Sequence, residues 1–463
     1  MKCKRVAALF LASTMALSMS ACTQSPERCT TSEGSQDRAS CETLAEAVYP
    51  EMAQYPDETA FFTKTGEFDD EGFSKVYQAW KQDLKRQTDQ PAGYQDGVAD
   101  FVRTSTKAFL PDGEQNFVYS PLNVYMALSM LAELTDGESR TQIMNLLGQT
   151  GIEDVRAHAK ALWNANYCAD GAVTSVLASS LWLDEDEQYV QKTLDTLAQD
   201  YYASAFRGQM GDAAYNEALQ SWVSDQTGGL LKEQSSGLEF TPETVLGLVT
   251  TIYFRARWSE EFYDGATSSD TFHTKSGDIT CDFLHKSDSN TYYWGESFGA
   301  IELSLRGSGA MKLLLPDEGV SAESLLEDTE AMDFILSRSD WKNSKFLTVN
   351  LSLPKFDVSS DLDLKAGLKT LGVTDVFDAS AADFTPSIEN SKGSIFLSQA
   401  EHAARTAIDE EGVTAAAYTV IAEAGAAEPP DEEIDFTLDR PFVFVITSQD
   451  GLPLFIGVVH TPN

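Results

Sequence analysis

The chain has 463 residues, with 72 acidic against 33 basic side chains and a formal net charge of −39. A hydrophobic share of 42% and an aromatic share of 10% separate it from a disordered acidic tail and supply one large core or two ordinary ones. The charge excludes a broad electrostatic grip on nucleic acid. It argues equally against holding a sulfated polysaccharide or anionic lipid through surface charge.

Taken in chain order, the sequence opens on an address. Lys2, Lys4 and Arg5 precede a compact apolar stretch from Val6 to Leu17, with small residues after it. This reads as a secretory signal peptide over residues 1–21, too short and wrongly flanked for a spanning helix. Its end, Met19-Ser20-Ala21-Cys22, resembles a bacterial lipoprotein signal, in which the cysteine becomes the acylated mature N-terminus. Leucine is usual where Met19 stands, and the alternative is an ordinary cleaved signal with an incidental cysteine. The resemblance implies an extracellular, lipid-anchored protein at the cell surface, touching the membrane through that lipid alone. Loss of residues 1–21 removes three basic and no acidic side chains, for a mature charge of −42.

With Cys3 lost and Cys22 acylated, Cys29, Cys41, Cys168 and Cys281 remain, an even number in an oxidising compartment. Cys29 and Cys41 are close enough to close a small loop, and the sequence leaves open whether Cys168 meets Cys281. Residues 22–41 form the anchor and a polar, flexible tether. Residues 42–93 carry Tyr49, Tyr55, Phe61, Phe62, Phe68, Phe73, Tyr77 and Trp80, an ordered extension with a helix over Glu71–Lys85. One large domain spans residues 94–463.

In that body Val98, Phe101, Val102 and Phe109 recur near helical spacing. Ser120 and Pro121 open a helix as N-cap and first-turn proline, and the run from Val124 to Leu134 is apolar nearly all round, so this helix is buried. A third helix runs from Ser139 to Gly148. Strands are expected at Val173–Leu183, Leu248–Trp258, Ile301–Leu305, Met311–Leu315, Thr348–Phe356, Ile395–Gln399, Phe442–Thr447 and Leu454–Val459. Helices first and strands later make an α+β pattern.

The sequence holds no His-Glu-x-x-His motif, phosphate-binding glycine loop or dinucleotide fingerprint, and no catalytic residues are expected. The five histidines are scattered, and the acidic clusters at Asp184–Glu187 and Asp431–Glu433 lack the alternating ligands and glycine of a calcium loop. Neither metal nor cofactor is expected. One segment breaks the globular pattern. From Gly412 the chain is rich in small residues and ends in a Pro-acidic stretch, like a long exposed loop. Its first half also fits a strand, with Val413, Ala415, Ala417, Thr419 and Ile421 on one face and Tyr418 on the other. A segment that must be loop and strand in turn needs such small side chains.

Several further stretches carry a resemblance. They are Asn116-Phe-Val-Tyr-Ser-Pro-Leu-Asn-Val-Tyr-Met-Ala-Leu-Ser-Met-Leu131, Leu248-Val-Thr-Thr-Ile-Tyr-Phe-Arg-Ala-Arg-Trp258 and Leu353-Pro-Lys-Phe356. Then come Leu371-Gly-Val-Thr-Asp-Val-Phe377, Ala382-Asp-Phe384, Leu397-Ser-Gln-Ala-Glu-His402, Asp409-Glu-Glu-Gly412, Asp439-Arg-Pro-Phe442 and Pro453-Leu-Phe-Ile-Gly457. In this order and spacing, residues 94–463 resemble the serpins, inhibitors that trap a protease by inserting a reactive loop into their own sheet. The resemblance implies three β-sheets, a helical cap and an exposed reactive-centre loop. It implies a suicide inhibitor of serine proteases, monomeric and without catalysis of its own. The alternative is a non-inhibitory member acting as a cell-surface binding lipoprotein.

The resemblance places roles on residues. Gly412, Val413, Thr414, Ala415, Ala416, Ala417, Tyr418 and Thr419 match the hinge. Glu410 and its ion-pair partner Lys355 match the breach at the sheet top, with Trp258 beneath. Ser120 and His402 match the shutter where strands part. There the family usually has a serine in place of Asn123 and an asparagine in place of Thr250, and an amide–hydroxyl swap between the two could keep a hydrogen bond. Counting on from Gly412 puts the reactive bond at Ala426–Ala427, which implies elastase-like or subtilisin-like targets. Counting back from Phe436 puts it near Pro430, and cuts after Glu423 or Glu428 stay open. The acidic body leaves no role for a polyanion cofactor.

Overall fold

A computed structural model describes residues 41–462, apart from 112, 114, 308, 339–340, 390–394, 399 and 414–429. The extension begins with β1 (Glu42–Ala45) and continues to helix α1 (Asp70–Thr88). Asp69 caps α1 through a bond from the Gly72 N–H, with Asp70 and Glu71 in the first turn and Lys85 and Arg86 in the last, matching the helix dipole. The aromatic residues form a satellite core: Tyr55 and Trp80 lie 5.0 Å apart and Phe61 and Phe73 5.4 Å, while Tyr49 reaches the body at Trp163, 5.2 Å away.

The body starts with α2 (Val98–Phe109), β2 (Phe117–Tyr119), α3 (Pro121–Leu134), α4 (Gly137–Leu146) and α5 (Ile152–Asn166). Every residue of α3 except Ala127 is buried, and Ser120 Oγ accepts the Asn123 N–H at 3.3 Å. Next come β3 (Cys168–Ala169), β4 (Thr174–Asp184), β5 (Gln188–Tyr189), α6 (Gln191–Asp200), β6 (Ala203–Gly208) and α7 (Ala213–Gln226). Strands dominate thereafter: β7 (Leu246–Arg257), β8 (Ser268–Thr274), β9 (Gly277–Trp294), β10 (Phe298–Ser304), β11 (Ala310–Pro316), β12 (Ser344–Pro354) and β13 (Asp357–Asp363). The last six are β14 (Ile388–Glu389), β15 (Glu401–Ala407), β16 (Gly412–Val413), β17 (Glu433–Thr437), β18 (Phe442–Thr447) and β19 (Pro453–Val459).

One sheet runs β1-β6-β4-β7-β16, with β3 on β4, and a nine-stranded sheet runs β17-β12-β9-β10-β11-β18-β19-β2, with β8 on β9. β13 and β15 pair with each other along their whole length. The buried β18 and β19 are apolar throughout and carry the centre of the main core, on which α3 packs. A second cluster, including Trp182, Phe206, Tyr215 and Trp222, joins α7 to the outer face of β4 and β6.

The strand expected at Ile395–Gln399 is not formed among the described residues: 395–398 belong to no strand. Leu397 is buried there in the main core, and its N–H donates to the Val376 carbonyl at 2.7 Å. The strand lies in β15, where His402, Ala404 and Thr406 alternate inward against β13. Cys41 is disulfide-bonded, and Cys29, its expected partner, lies outside the described residues. Cys168 and Cys281 are free thiols, so they do not meet.

Candidate functional site

The site forms where β15 ends. Asp409 Oδ1 accepts the N–H groups of Glu411 and Gly412, at 2.9 and 3.1 Å, and the Asp409 N–H donates to the Gly412 carbonyl at 3.0 Å. This side-chain-stabilised turn reverses the chain. It lays Gly412 and Val413 antiparallel on the top of β7, opposite Arg257 and Ala256. Val413 also bridges Ile408 in antiparallel register, so β16 sits between β7 and the end of β15. Val413 is buried, and a Cβ on Gly412 would meet the Ala256 carbonyl oxygen at 2.3 Å, a contact only glycine avoids.

Both neighbours run antiparallel to β16, so β7 and β15 run parallel to one another. Among the described residues no ladder joins them: β7 pairs with β4, and β15 with β13. Lower down, beneath α7, a cavity of ≈ 110 Å³ lies between them, lined by Leu219 and Val223 of α7, Leu248 and Thr251 of β7, and Ala403 of β15. The sheet is divided along a line that one strand, antiparallel to both sides, would fill.

Trp258, fully buried directly after β7, holds the turn. Its backbone N–H donates to the Glu411 carbonyl and its indole Nε1 to the Asp409 carbonyl, both at 2.9 Å. The Phe262 N–H takes the Glu410 carbonyl at 2.9 Å. The Glu410 carboxylate accepts from Lys355 Nζ and from Thr267 Oγ1, each at 2.8 Å. Burial opposes ionisation of Glu410, but these hydrogen bonds outweigh it and hold its pKa below the ordinary value. For Glu411 burial prevails over the attraction of Arg257, and its pKa is raised. Glu410, Lys355 and Trp258, singled out from sequence, thus converge on one turn. The sequence reading assigned no role to Asp409 or Thr267. An aspartate three residues before a glycine was the available signal for the turn, whereas nothing local marks Thr267.

At the shutter, His402 Nε2 accepts the Ser120 N–H at 3.0 Å. The ring is completely buried, which depresses its pKa to about 4 and fixes this nitrogen as an acceptor. The N-cap of α3 is thereby tied to β15. The expected exchange between Asn123 and Thr250 is not formed. Among the described residues Asn123 Nδ2 is buried without a hydrogen-bond partner, while Thr250 lies half-buried in β7 opposite Ser179. The two side chains sit on different elements and nothing links them.

On its far side the loop enters β17, parallel to β12 from Glu433 opposite Thr348. The Thr348 N–H donates to the Glu432 carbonyl at 2.9 Å, and Lys345 pairs with the Glu432 carboxylate. Residues Thr414 to Thr419 of the hinge and the expected reactive bond Ala426–Ala427 lie outside the described residues.

The chain entering the loop is thus seated in a divided sheet, and the chain leaving it is paired to β12. Residues 98–462 match the family model described as Serpin (serine protease inhibitor), and the chain belongs to this family. It is similar to a serine protease inhibitor of Cyanea capillata, 28% identical over 370 residues that cover 76% of this chain and 94% of that protein. It is also similar to the leukocyte elastase inhibitor of Homo sapiens, 28% identical over 360 residues covering 75% and 93%. Among solved structures, the thermophilic serpin tengpin in its native state superposes with a TM-score of 0.72 at 25% identity, covering 81% of this chain and 96% of that one.

Proposed function

We propose that the protein is a suicide inhibitor of serine proteases that acts outside the cell on a lipid anchor at Cys22. The observation that carries the inhibitory reading is the position of Gly412 and Val413, seated antiparallel between β7 and β15. The small residues that follow, Ala415 and Ala417 on the face of Val413, suit the same burial. A protease serine attacks the Ala426 carbonyl, the Ala427 amine leaves, and an ester joins enzyme to loop. The freed strand then continues the insertion that Val413 has begun, gaining ladder hydrogen bonds on both edges. Fourteen residues, from Val413 to Ala426, span roughly 45 Å, which carries the ester-bound protease far from its docking site before water can reach the ester.

Alanine at the cut favours elastase-like or subtilisin-like enzymes that accept small residues. The similarity to a protein named leukocyte elastase inhibitor agrees with that choice. No lysine or arginine lies between Gly412 and Asp439 to suit a trypsin-like pocket. Incubation with pancreatic elastase and with subtilisin should give an SDS-stable complex and release a fragment beginning at Ala427. Ala415→Arg should be cleaved without forming the complex, because insertion would bury an unpaired charge at several kcal/mol. Cleavage of the natural chain without a complex and without a rise in thermal midpoint would instead favour a binding lipoprotein.

A further inference from the structure

A second feature lies behind the breach, in a fork between two strands. β9 pairs with β12 on one edge; its other edge is covered by β8 up to Phe283 and by β10 from Tyr292. Between these limits that edge carries no strand among the described residues, and residues 302–304 of β10 diverge from it. Asn290 Nδ2 spans the fork to the Glu302 carbonyl at 3.0 Å, and Trp258 and Phe262 form its base. The result is a crevice of ≈ 200 Å³. A cavity of about 150 Å³ holds benzene, so this one has room for one ring with a short arm.

Its walls are of two kinds. Leu303, Leu351 and the two aromatic rings are apolar, whereas Glu260 and Asp288 share a single cation, Lys286, and Glu302 is paired with the buried Lys312 at 3.4 Å. Lys286 Nζ is already neutralised, at 2.8 Å from Asp288 and 3.0 Å from Glu260, and lies 5.8 Å from the centre of the Phe262 ring. The chain's own ammonium therefore shows which charge these walls accept. An anion would find Lys286 taken by two carboxylates, one more negative charge than it offsets. A cation with an apolar body meets acidic walls and an aromatic base.

We propose that this fork binds a small organic ammonium, a primary amine carrying a single aromatic or alkyl group. Isothermal titration of the full chain at low salt with phenethylamine, phenethyl alcohol and phenylacetate tests it. The amine should bind saturably, one per chain, and the alcohol and the acid should bind about tenfold more weakly or not at all. Asp288→Asn, at a half-exposed position, should weaken the amine about tenfold without lowering the thermal midpoint, and Leu303→Trp should fill the crevice and abolish binding. Absence of saturable amine binding, equal binding of the alcohol, or unchanged amine affinity in Asp288→Asn would each overturn the proposal.

Discussion

A methyl group on Gly412 would lie 2.3 Å from the Ala256 carbonyl oxygen and 2.7 Å from the Arg257 Cα, backbone atoms that cannot swing away. Gly412→Ala should therefore lift the hinge off β7. The expected cost is about 1–3 kcal/mol, read as roughly ten- to hundredfold faster exchange of the Val413 amide hydrogen. His402 makes a prediction about pH. Its folded pKa of about 4 lies below the ordinary 6.5 because the ring is buried, so the unfolded chain takes up a proton first as pH falls. Its contribution is fully retained above pH 6.5 and is lost progressively down to pH 4, by roughly 3 kcal/mol in all. The unfolding midpoint should fall more steeply across that window in the natural chain than in His402→Asn, whose amide oxygen can accept the Ser120 N–H without titrating. Equal slopes would mean that His402 takes up its proton as readily in the fold as in the unfolded chain.

At the scale of elements, the turn from Asp409 to Gly412 is what converts β15 into β16. Asp409→Ala removes the acceptor for two backbone N–H groups, while Asp409→Asn keeps it. The alanine variant alone should show faster cleavage between Val413 and Glu432 by proteases of broad specificity. If both variants behave alike, the side chain does not set the turn. The sequence made some of this legible and hid the rest for physical reasons. α3 was readable because Ser120, Pro121 and an all-apolar run agree, and β4, β7, β18 and β19 because buried strands read as apolar runs. β15 was misplaced onto Ile395–Gln399 because its own residues, with alanines, His402 and Arg405, are less apolar than the flank before it. β9 escaped notice because over residues 285–291 it is almost wholly polar, its apolar partners being supplied by β12. The breach residues followed from motif resemblance, but Thr267 comes from a separate loop that no local pattern connects to Glu410.

The whole molecule carries its charge of −39 on a body whose loop ends in Glu428, Asp431, Glu432 and Glu433. A basic protease should associate fastest at low ionic strength, and the rate constant for complex formation should fall steeply as salt shortens the Debye length. An acidic protease of the same specificity should show the opposite or no trend. An inhibitor of the proposed kind must keep one sheet receptive to a strand without inviting foreign ones, and here the extension matters. β1 lies antiparallel on β6, with Glu42 opposite Arg207 and their side chains ion-paired, so the outer rim of that sheet is occupied. An uncovered rim would present a row of free backbone donors and acceptors, the usual template for edge-to-edge aggregation. With β1 in place, the exposed rim is a four-residue strand broken by a register shift, a poor template, which favours entry of a strand at the line between β7 and β15 instead.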